Sequence, residues 1–268
     1  MASLEKDIAY LDAIFRSDEN LGTFSYIYPN SNENISSIFE KISLKDKKVL
    51  SVLSSSDFLF SALVDDAKEV DTFDINPITY RYFYLRKWLL EYKALNAYWL
   101  SKQRITDIIK SKEKSEDQDE RESSLFWQEY LKHVKGDFYD TNVFACAMFT
   151  PQVPYSKQYG KLRSILMDKK IDFEHTDIAK EGIHMGEKYD SIYLSNILDY
   201  QRSPQRLERI LPILNGLLEE NGEIICTSIF GVSSLYGLEI PYFSKDFDYS
   251  KIGTEPTGIK SYVYKRRS

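Results

Sequence analysis

The apolar and polar residues along this chain alternate in a way that predicts strands and helices in turn. Residues 48–53 and 70–74 have the apolar character of buried strands, with a short helical pattern between them. Further strand patterns follow at 170–178, 189–196 and 223–228, separated by longer stretches with helical spacing. Strands that alternate with helices favour a mostly parallel sheet with helices on both faces. We therefore predict an α/β fold.

Two regions lie outside this alternation. Residues 1–44 contain two helical patterns, and we interpret them as a helical N-terminal flap over a domain formed by residues 45–268. Between the second and third strand patterns, residues from about 100 to 170 are mostly helical. We expect this helical insertion to be large enough to shape a substrate pocket.

Composition and charge narrow the class of protein. The chain has 268 residues, of which 43% are hydrophobic, and this is enough for a substantial core. A net charge of −6 argues against a nucleic-acid partner, because such surfaces carry a basic excess. No apolar run approaches the roughly 18 residues of a membrane span, and no targeting signal is visible in the first residues. These features predict a cytoplasmic protein with no integral membrane segment.

The sequence lacks the residues that several kinds of catalytic centre require. The three histidines, His133, His175 and His184, do not have metal-ligand spacing, so we expect no metal centre. The sequence also contains neither a Walker loop nor a Gly-x-Ser-x-Gly elbow. Nucleoside triphosphatase and serine hydrolase activities are therefore not expected.

The turn after the first strand pattern is the most informative local feature. It consists of the small residues Ser54, Ser55 and Ser56, followed by Asp57. Further along the chain, Asp74 lies at the end of the second strand pattern. A carboxylate at that position can bind both ribose hydroxyls of a nucleoside-bearing cofactor. The turn has no glycine, which disfavours a dinucleotide because a pyrophosphate requires close approach of the backbone. Asp57 has the alternative role of capping the helix that follows.

This succession of elements resembles the class I S-adenosylmethionine-dependent transferase fold, which is Rossmann-like. The matching segments are residues 48–53, Asp74, Asp177, residues 189–192 and residues 218–224, where the resemblance implies a helix, a turn and a strand. The resemblance covers roughly residues 45 to 230. It implies S-adenosylmethionine as the cofactor and a small molecule as the acceptor.

Two segments are similar to a narrower family, the S-adenosylmethionine:diacylglycerol 3-amino-3-carboxypropyltransferases of betaine-lipid synthesis. One combines residues 54–57 with residues 73–77, and the other is Leu194-Ser-Asn-Ile-Leu-Asp-Tyr200. Ser56 stands where that family usually has glycine. Those relatives transfer the aminocarboxypropyl arm of the cofactor instead of its methyl group. Both kinds of transfer remain open for this chain, as does an inactive module that binds S-adenosylmethionine or another nucleoside.

The resemblance also implies roles for individual residues around the cofactor. Asp74 would bind the ribose, and the methionine moiety would lie against the serine turn, with Asp57 beside its ammonium group. Residues 176–178 would flank the adenine. The complete set of candidate cofactor-binding residues is Ser54, Ser56, Asp57, Asp74, Asn76, Thr176, Asp177, Ser195 and Asn196.

The acceptor side carries a second group of candidates. Asp199 is a candidate general base and Tyr200 a candidate for orienting the acceptor, because both follow the fourth strand pattern. The alternative is an ordinary polar turn. In the N-terminal flap, Tyr26, Tyr28 and Asn34 are candidates for closing over the bound ligands.

Overall fold

The structure is a computed structural model that describes residues 3–16, 27–29, 31, 33–94, 100–139, 141, 143–144, 154–178, 182–183, 188–200, 204–228, 247–254 and 260–266. Within these residues, seven strands form one sheet. They are β1 (Lys48–Val52), β2 (Glu69–Asp74), β3 (Phe173–His175), β4 (Tyr189–Tyr193), β5 (Leu218–Ser228), β6 (Phe247–Thr254) and β7 (Lys260–Arg266). Their order across the sheet is β3-β2-β1-β4-β5-β7-β6.

Strands β1 to β5 are parallel, and β7 pairs antiparallel with both β5 and β6. The chain moves outward from β1 through β2 to β3, and then returns to place β4 on the other side of β1. The strand order therefore reverses at β1, and ligands of open α/β sheets bind outside the carboxyl ends of the strands at such a reversal. The predicted α/β, mostly parallel, Rossmann-like fold is confirmed.

Helices cover the sheet and form the helical insertion between β2 and β3. They are α1 (Leu4–Arg16), α2 (Ile35–Phe39), α3 (Asp57–Val64), α4 (Ile78–Glu91), α5 (Lys102–Ser111), α6 (Gln118–His133), α7 (Tyr159–Asp168) and α8 (Pro204–Leu217). The two N-terminal helices bury Leu11, Ile14, Ile35 and Ile38 in the same hydrophobic cluster as the sheet. Among the described residues, no helix is both long enough and apolar enough to cross a membrane.

The junction between α8 and β5 differs from the expectation. Residues 218–224 all lie in β5, and no helix or turn precedes the strand within them. The register of the β4–β5 pair shifts between Tyr189 and Ser191, so that the strand already begins beside β4 at Leu218. Gly222 permits this close approach, because a Cβ atom there would lie 3.1 Å from the carbonyl oxygen of Tyr189.

Candidate functional site

Asp74 lies at the carboxyl end of β2, and main-chain groups hold both oxygens of its buried carboxylate. Oδ2 accepts the Ser54 N–H at 2.9 Å, and Oδ1 accepts the Asn76 N–H at 2.9 Å. The main-chain oxygen of Asp74 accepts the Thr176 N–H at 3.0 Å. Burial raises the pKa of Asp74 to about 6, although the two N–H donors favour the charged form. Three other predicted residues therefore contact Asp74: Ser54 and Asn76 at its carboxylate and Thr176 at its main-chain oxygen.

The serine turn adopts the backbone geometry that usually requires glycine. Ser54 has a φ of 43° and Ser56 a φ of 67°, both in the left-handed region. This conformation costs an L-residue about 1–2 kcal/mol. The Ser56 hydroxyl is also buried, with no hydrogen-bond partner among the described residues. The turn therefore follows a glycine-like path without glycine and leaves a polar group available at the switch point.

Asp57 lies in the protein interior, where its carboxylate has internal donors, and its assignment to the cofactor stays a prediction. Its Oδ1 accepts bonds from Arg86 Nη2 at 2.9 Å and from the Tyr155 hydroxyl at 2.6 Å. Its Oδ2 accepts bonds from the Ser31 N–H at 2.5 Å and the Ser55 hydroxyl at 2.9 Å. These four donors match the roughly four acceptor positions of a carboxylate. Asp57 is also the first residue of α3, so the capping alternative does not describe it.

We call residues 27–29, 31 and 33–34 the strap. The strap connects the N-terminal part of the chain to the buried ion pair between Arg86 and Asp57. The carbonyl oxygen of Pro29 accepts bonds from the Tyr82 hydroxyl at 2.8 Å and from Arg86 Nη1 at 3.3 Å. Together with the bond from Ser31 to Asp57, these contacts fix the strap against α3 and α4.

Of the three flap candidates, Asn34 has a structural role. Its Oδ1 accepts the Ser37 N–H at 3.1 Å and thereby caps α2, and its assignment to ligand binding stays a prediction. Tyr28 is half-buried in the strap. Tyr26 lies outside the described residues.

Glu33 is a functional candidate that sequence reasoning missed. It is 2% exposed, and its carboxylate accepts the Thr227 hydroxyl at 2.6 Å together with the hydroxyls of Ser195 and Tyr193. Tyr193 ends β4, Ser195 follows it with a φ of 52°, and Thr227 lies near the end of β5. Burial, and then the charge of Glu33, raise the pKa of Tyr193 well above its ordinary value. The carboxylate of Glu33 is therefore enclosed by side chains from the carboxyl ends of two strands.

The remaining candidates lie along the same edge of the sheet. Thr176 is buried and donates its hydroxyl to the Gly182 carbonyl at 2.8 Å, while Asp177 and Asn196 are half-buried. Asp199 and Tyr200 belong to a short 3₁₀ turn, Ile197–Tyr200, and their side chains lie outside the described part of the chain.

One side chain of helix α1 is affected by the charge of Asp74. Burial raises the pKa of Tyr10, and the nearby charge of Asp74 raises it further. His175, at the end of β3, places Nε2 2.9 Å from the Ile75 carbonyl oxygen. Within the described residues, no group of three or more His, Cys, Asp or Glu side chains has the arrangement of a metal site.

Neither a protein-family model nor a curated protein matches this chain. It is similar to the solved structure of the N-methyltransferase NodS from Bradyrhizobium japonicum WM9 with S-adenosyl-L-homocysteine, at 8% identity over 98% of this chain and 99% of that one, with a TM-score of 0.45. The putative methyltransferase yhhF from Escherichia coli is 10% identical over 91% and 89% of the two chains, with a TM-score of 0.45. The rRNA methyltransferase aviRa from Streptomyces viridochromogenes is 11% identical over 93% of each chain, also with a TM-score of 0.45. Because these identities and TM-scores are low, the fold of this chain is assigned from its own strand order and strand pairing.

Proposed function

We propose that this protein is a transferase that uses S-adenosylmethionine and acts on a small-molecule acceptor. The observation that carries the proposal is the Asp74 carboxylate, held by two main-chain N–H groups at the point where the strand order reverses. Asp74 is an acceptor in the position where an open α/β sheet binds the ribose of a nucleoside. The resemblance to the class I transferases supplies the identity of that nucleoside.

The residues at this edge suit the chemical groups of S-adenosylmethionine. Each oxygen of Asp74 accepts one N–H, and a carboxylate has the capacity for further donors such as the two ribose hydroxyls. The unpartnered hydroxyl of Ser56 suits a polar group of the methionine moiety. Thr176 and Asp177 lie next to Asp74 along the edge and would flank the adenine.

The chemistry needs positioning more than reactive side chains. When bound, the sulfonium of this cofactor makes its carbon substituents open to displacement by a nucleophile. The protein must then align the acceptor with one carbon and exclude water. Asn196, Asp199 and Tyr200 follow β4, on the side of β1 opposite Asp74, and we assign them to the acceptor end. Methyl transfer and 3-amino-3-carboxypropyl transfer both fit this arrangement.

Calorimetric titration of the full chain with S-adenosylmethionine, S-adenosylhomocysteine and NAD tests the proposal. We expect binding of the first two and none of NAD, because the turn before α3 has no glycine to let a pyrophosphate approach the backbone closely. Binding of NAD alone, or of none of the three, would overturn the proposal.

Product analysis then identifies the transferred group. Methyl transfer leaves S-adenosylhomocysteine, and aminocarboxypropyl transfer leaves methylthioadenosine. Binding of S-adenosylmethionine without consumption by any acceptor would favour the second candidate function, an inactive binding module. That candidate is suggested by the two serines that stand in a glycine-like turn.

A further inference from the structure

We propose that Arg86 is a positioning residue for cofactor binding, because it holds the serine turn in the left-handed conformation that glycine usually supplies. This inference rests on the proposed function, in which the cofactor lies against that turn. It follows from the contacts at Ser55, from the left-handed backbone on both sides of that residue and from the burial of the Arg86 guanidinium.

The Arg86 guanidinium is fixed inside the protein, directly behind the turn. The residue is 1% exposed, and its Nη1 donates to the Ser55 carbonyl at 2.6 Å. Its Nη2 donates to Asp57 at 2.9 Å, and its Cζ lies 5.3 Å from the centre of the Phe60 ring. The N–H donors of a guanidinium have fixed directions, so these contacts leave it little freedom. Any effect of Arg86 on a ligand therefore passes through the turn.

The bond from Arg86 fixes the peptide group that joins Ser55 to Ser56. The carbonyl of this peptide accepts the bond from Arg86, and its N–H donates to the Leu53 carbonyl at 2.7 Å. The orientation of a planar peptide group sets the φ of the residue that follows it. That φ is 67° at Ser56, and the φ of Ser54 on the other side is 43°. Arg86 therefore holds one end of the peptide that gives Ser56 its left-handed conformation.

Asp57 holds the same turn through a side chain. Its Oδ2 accepts the Ser55 hydroxyl at 2.9 Å and the Ser31 N–H of the strap at 2.5 Å. The ion pair thus contacts Ser55 at the carbonyl through Arg86 and at the hydroxyl through Asp57. A strained backbone conformation persists only where the surrounding structure over-determines it, and these bonds supply that constraint.

The turn contributes to both parts of the proposed cofactor site. The Ser54 N–H donates to Asp74 Oδ2, and the Ser56 hydroxyl is buried with no partner among the described residues. A turn that left the left-handed region would move both groups. This conformation costs an L-residue about as much free energy as a tenfold change in affinity represents. Without Arg86, few molecules would have the turn ready for the cofactor, and the apparent affinity falls with that fraction.

Calorimetric titration of the full chain with S-adenosylhomocysteine tests the inference. We expect Arg86→Met to bind about tenfold more weakly than the parent, at a temperature at which both proteins are folded. Ser56→Gly permits the left-handed conformation without steric cost, so in that background Arg86→Met should lose about twofold at most. Each comparison is made within one background, so the contact of the Ser56 hydroxyl cancels. No loss in the parent background, or an equal loss in both, would overturn the inference.

Two controls separate positioning from stability. Tyr155→Phe removes the hydroxyl that contacts Asp57 and Arg86 but leaves the bond to Ser55, so it should destabilise the fold without weakening binding. A merely structural role of Arg86 predicts that affinity falls with stability in both variants. Asp46→Gly replaces an exposed residue with a φ of 61° at the amino end of β1, the end opposite the turn. It should not restore binding to Arg86→Met.

Ser55→Ala gives a milder test that leaves the ion pair in place. It removes the bond from the Ser55 hydroxyl to Asp57, and we expect binding of S-adenosylhomocysteine to weaken about threefold. Ser56→Gly should again remove most of this loss. If Arg86→Met does not fold, Ser55→Ala decides the outcome: unchanged affinity, or a loss that persists in the Ser56→Gly background, would overturn the inference.

Amide hydrogen exchange of the ligand-free chain distinguishes failure of this inference from failure of the proposed function. The Ser56 N–H should exchange about tenfold faster in Arg86→Met than in the parent, relative to the amides of β1, and at the parent rate in Tyr155→Phe. If the parent binds S-adenosylhomocysteine and Arg86→Met binds it equally well, this inference alone fails. If the parent does not bind it, the proposed function fails, and the exchange rates still show whether Arg86 holds the turn.

Discussion

Asp74 and Glu33 are two buried carboxylates at the same edge of the sheet, on opposite sides of β1, and they are held in different ways. Main-chain N–H groups from the serine turn and from Asn76 hold Asp74. Side-chain hydroxyls from β4 and β5 hold Glu33. Two main-chain N–H groups thus contribute to the surroundings of Asp74, together with the Thr79 side chain, whereas three side-chain hydroxyls contribute to those of Glu33. Point mutations of the donors should therefore change the surroundings of Glu33 more easily than those of Asp74.

Asp57 is a third buried carboxylate with which Asp74 and Glu33 can be compared. It is as deeply buried as the other two carboxylates, but a guanidinium contacts it directly. A carboxylate that already has a buried cation has little capacity for a ligand, so its role is structural. Direct contact with a guanidinium therefore distinguishes Asp57 from Asp74, whose carboxylate accepts two main-chain N–H groups.

Removal of the cation should give the largest effect. Arg86→Met leaves Asp57 buried and uncompensated and also removes the bonds to the carbonyls of Pro29 and Ser55. We expect the free energy of unfolding to fall by about 3–5 kcal/mol, measured by urea denaturation. The double variant with Asp57→Asn is the control and should be more stable than Arg86→Met alone. A loss below about 1 kcal/mol in the single variant would contradict a structural role for the ion pair.

Asp74→Asn should weaken cofactor binding by about 100-fold, because charge-assisted hydrogen bonds to both ribose hydroxyls are lost. Calorimetry with S-adenosylhomocysteine measures this change. Asp177→Asn is a matched control at a half-buried acid of the same edge, where we expect a smaller loss. Equal affinity of the Asp74→Asn variant and the parent would mean that the ribose binds elsewhere.

The difference between Asp74 and Glu33 also explains how far the sequence predicts this site. The acid at Asp74 ends a strand pattern and follows a turn of small residues, so local periodicity is sufficient to find it. At the start of α4, Asn76 Oδ1 likewise accepts the Ile78 N–H at 3.0 Å. These features depend on residues that are close together along the chain.

Glu33 has no comparable local signal. It lies in a polar stretch, and its partners Tyr193 and Thr227 are 160 and 194 residues away. The contacts of Asp57 are equally non-local, because its partners Arg86 and Tyr155 come from α4 and from the insertion. These groups come together only when the strap and the insertion pack onto the sheet. The pattern of hydrophobic and polar residues in a single sequence does not reveal that packing.

The pKa of Asp74 gives a test of the main-chain environment. Its folded-state pKa, about 6, lies above the ordinary aspartate value of 3.8, so the folded protein binds this proton more tightly than the unfolded chain does. The resulting stabilisation is present below about pH 4 and is lost as the pH rises through 6. The loss is of the order of 2–3 kcal/mol, at about 1.4 kcal/mol for each unit of pKa difference. Urea denaturation of the parent and of Asp74→Asn between pH 4 and pH 7 measures it, because the variant should lack this component.

The Thr227→Val variant tests whether Glu33 is charged, because Thr227 donates a hydrogen bond to the Glu33 carboxylate. The substitution keeps the shape of the side chain and removes the 2.6 Å bond, and we expect a loss of about 2 kcal/mol of unfolding free energy, typical of a hydrogen bond to a charged group. Thr72→Val is the matched control, because Thr72 is also buried in a strand but donates to a neutral group, the Asp172 carbonyl, at 2.7 Å. This variant should lose about 1 kcal/mol of unfolding free energy. In a Glu33→Gln background the cost of Thr227→Val should fall to that of the control. An unchanged cost in that background would mean that Glu33 carries no charge in the folded protein, and the hydroxyls would then be surrounding a carboxylic acid.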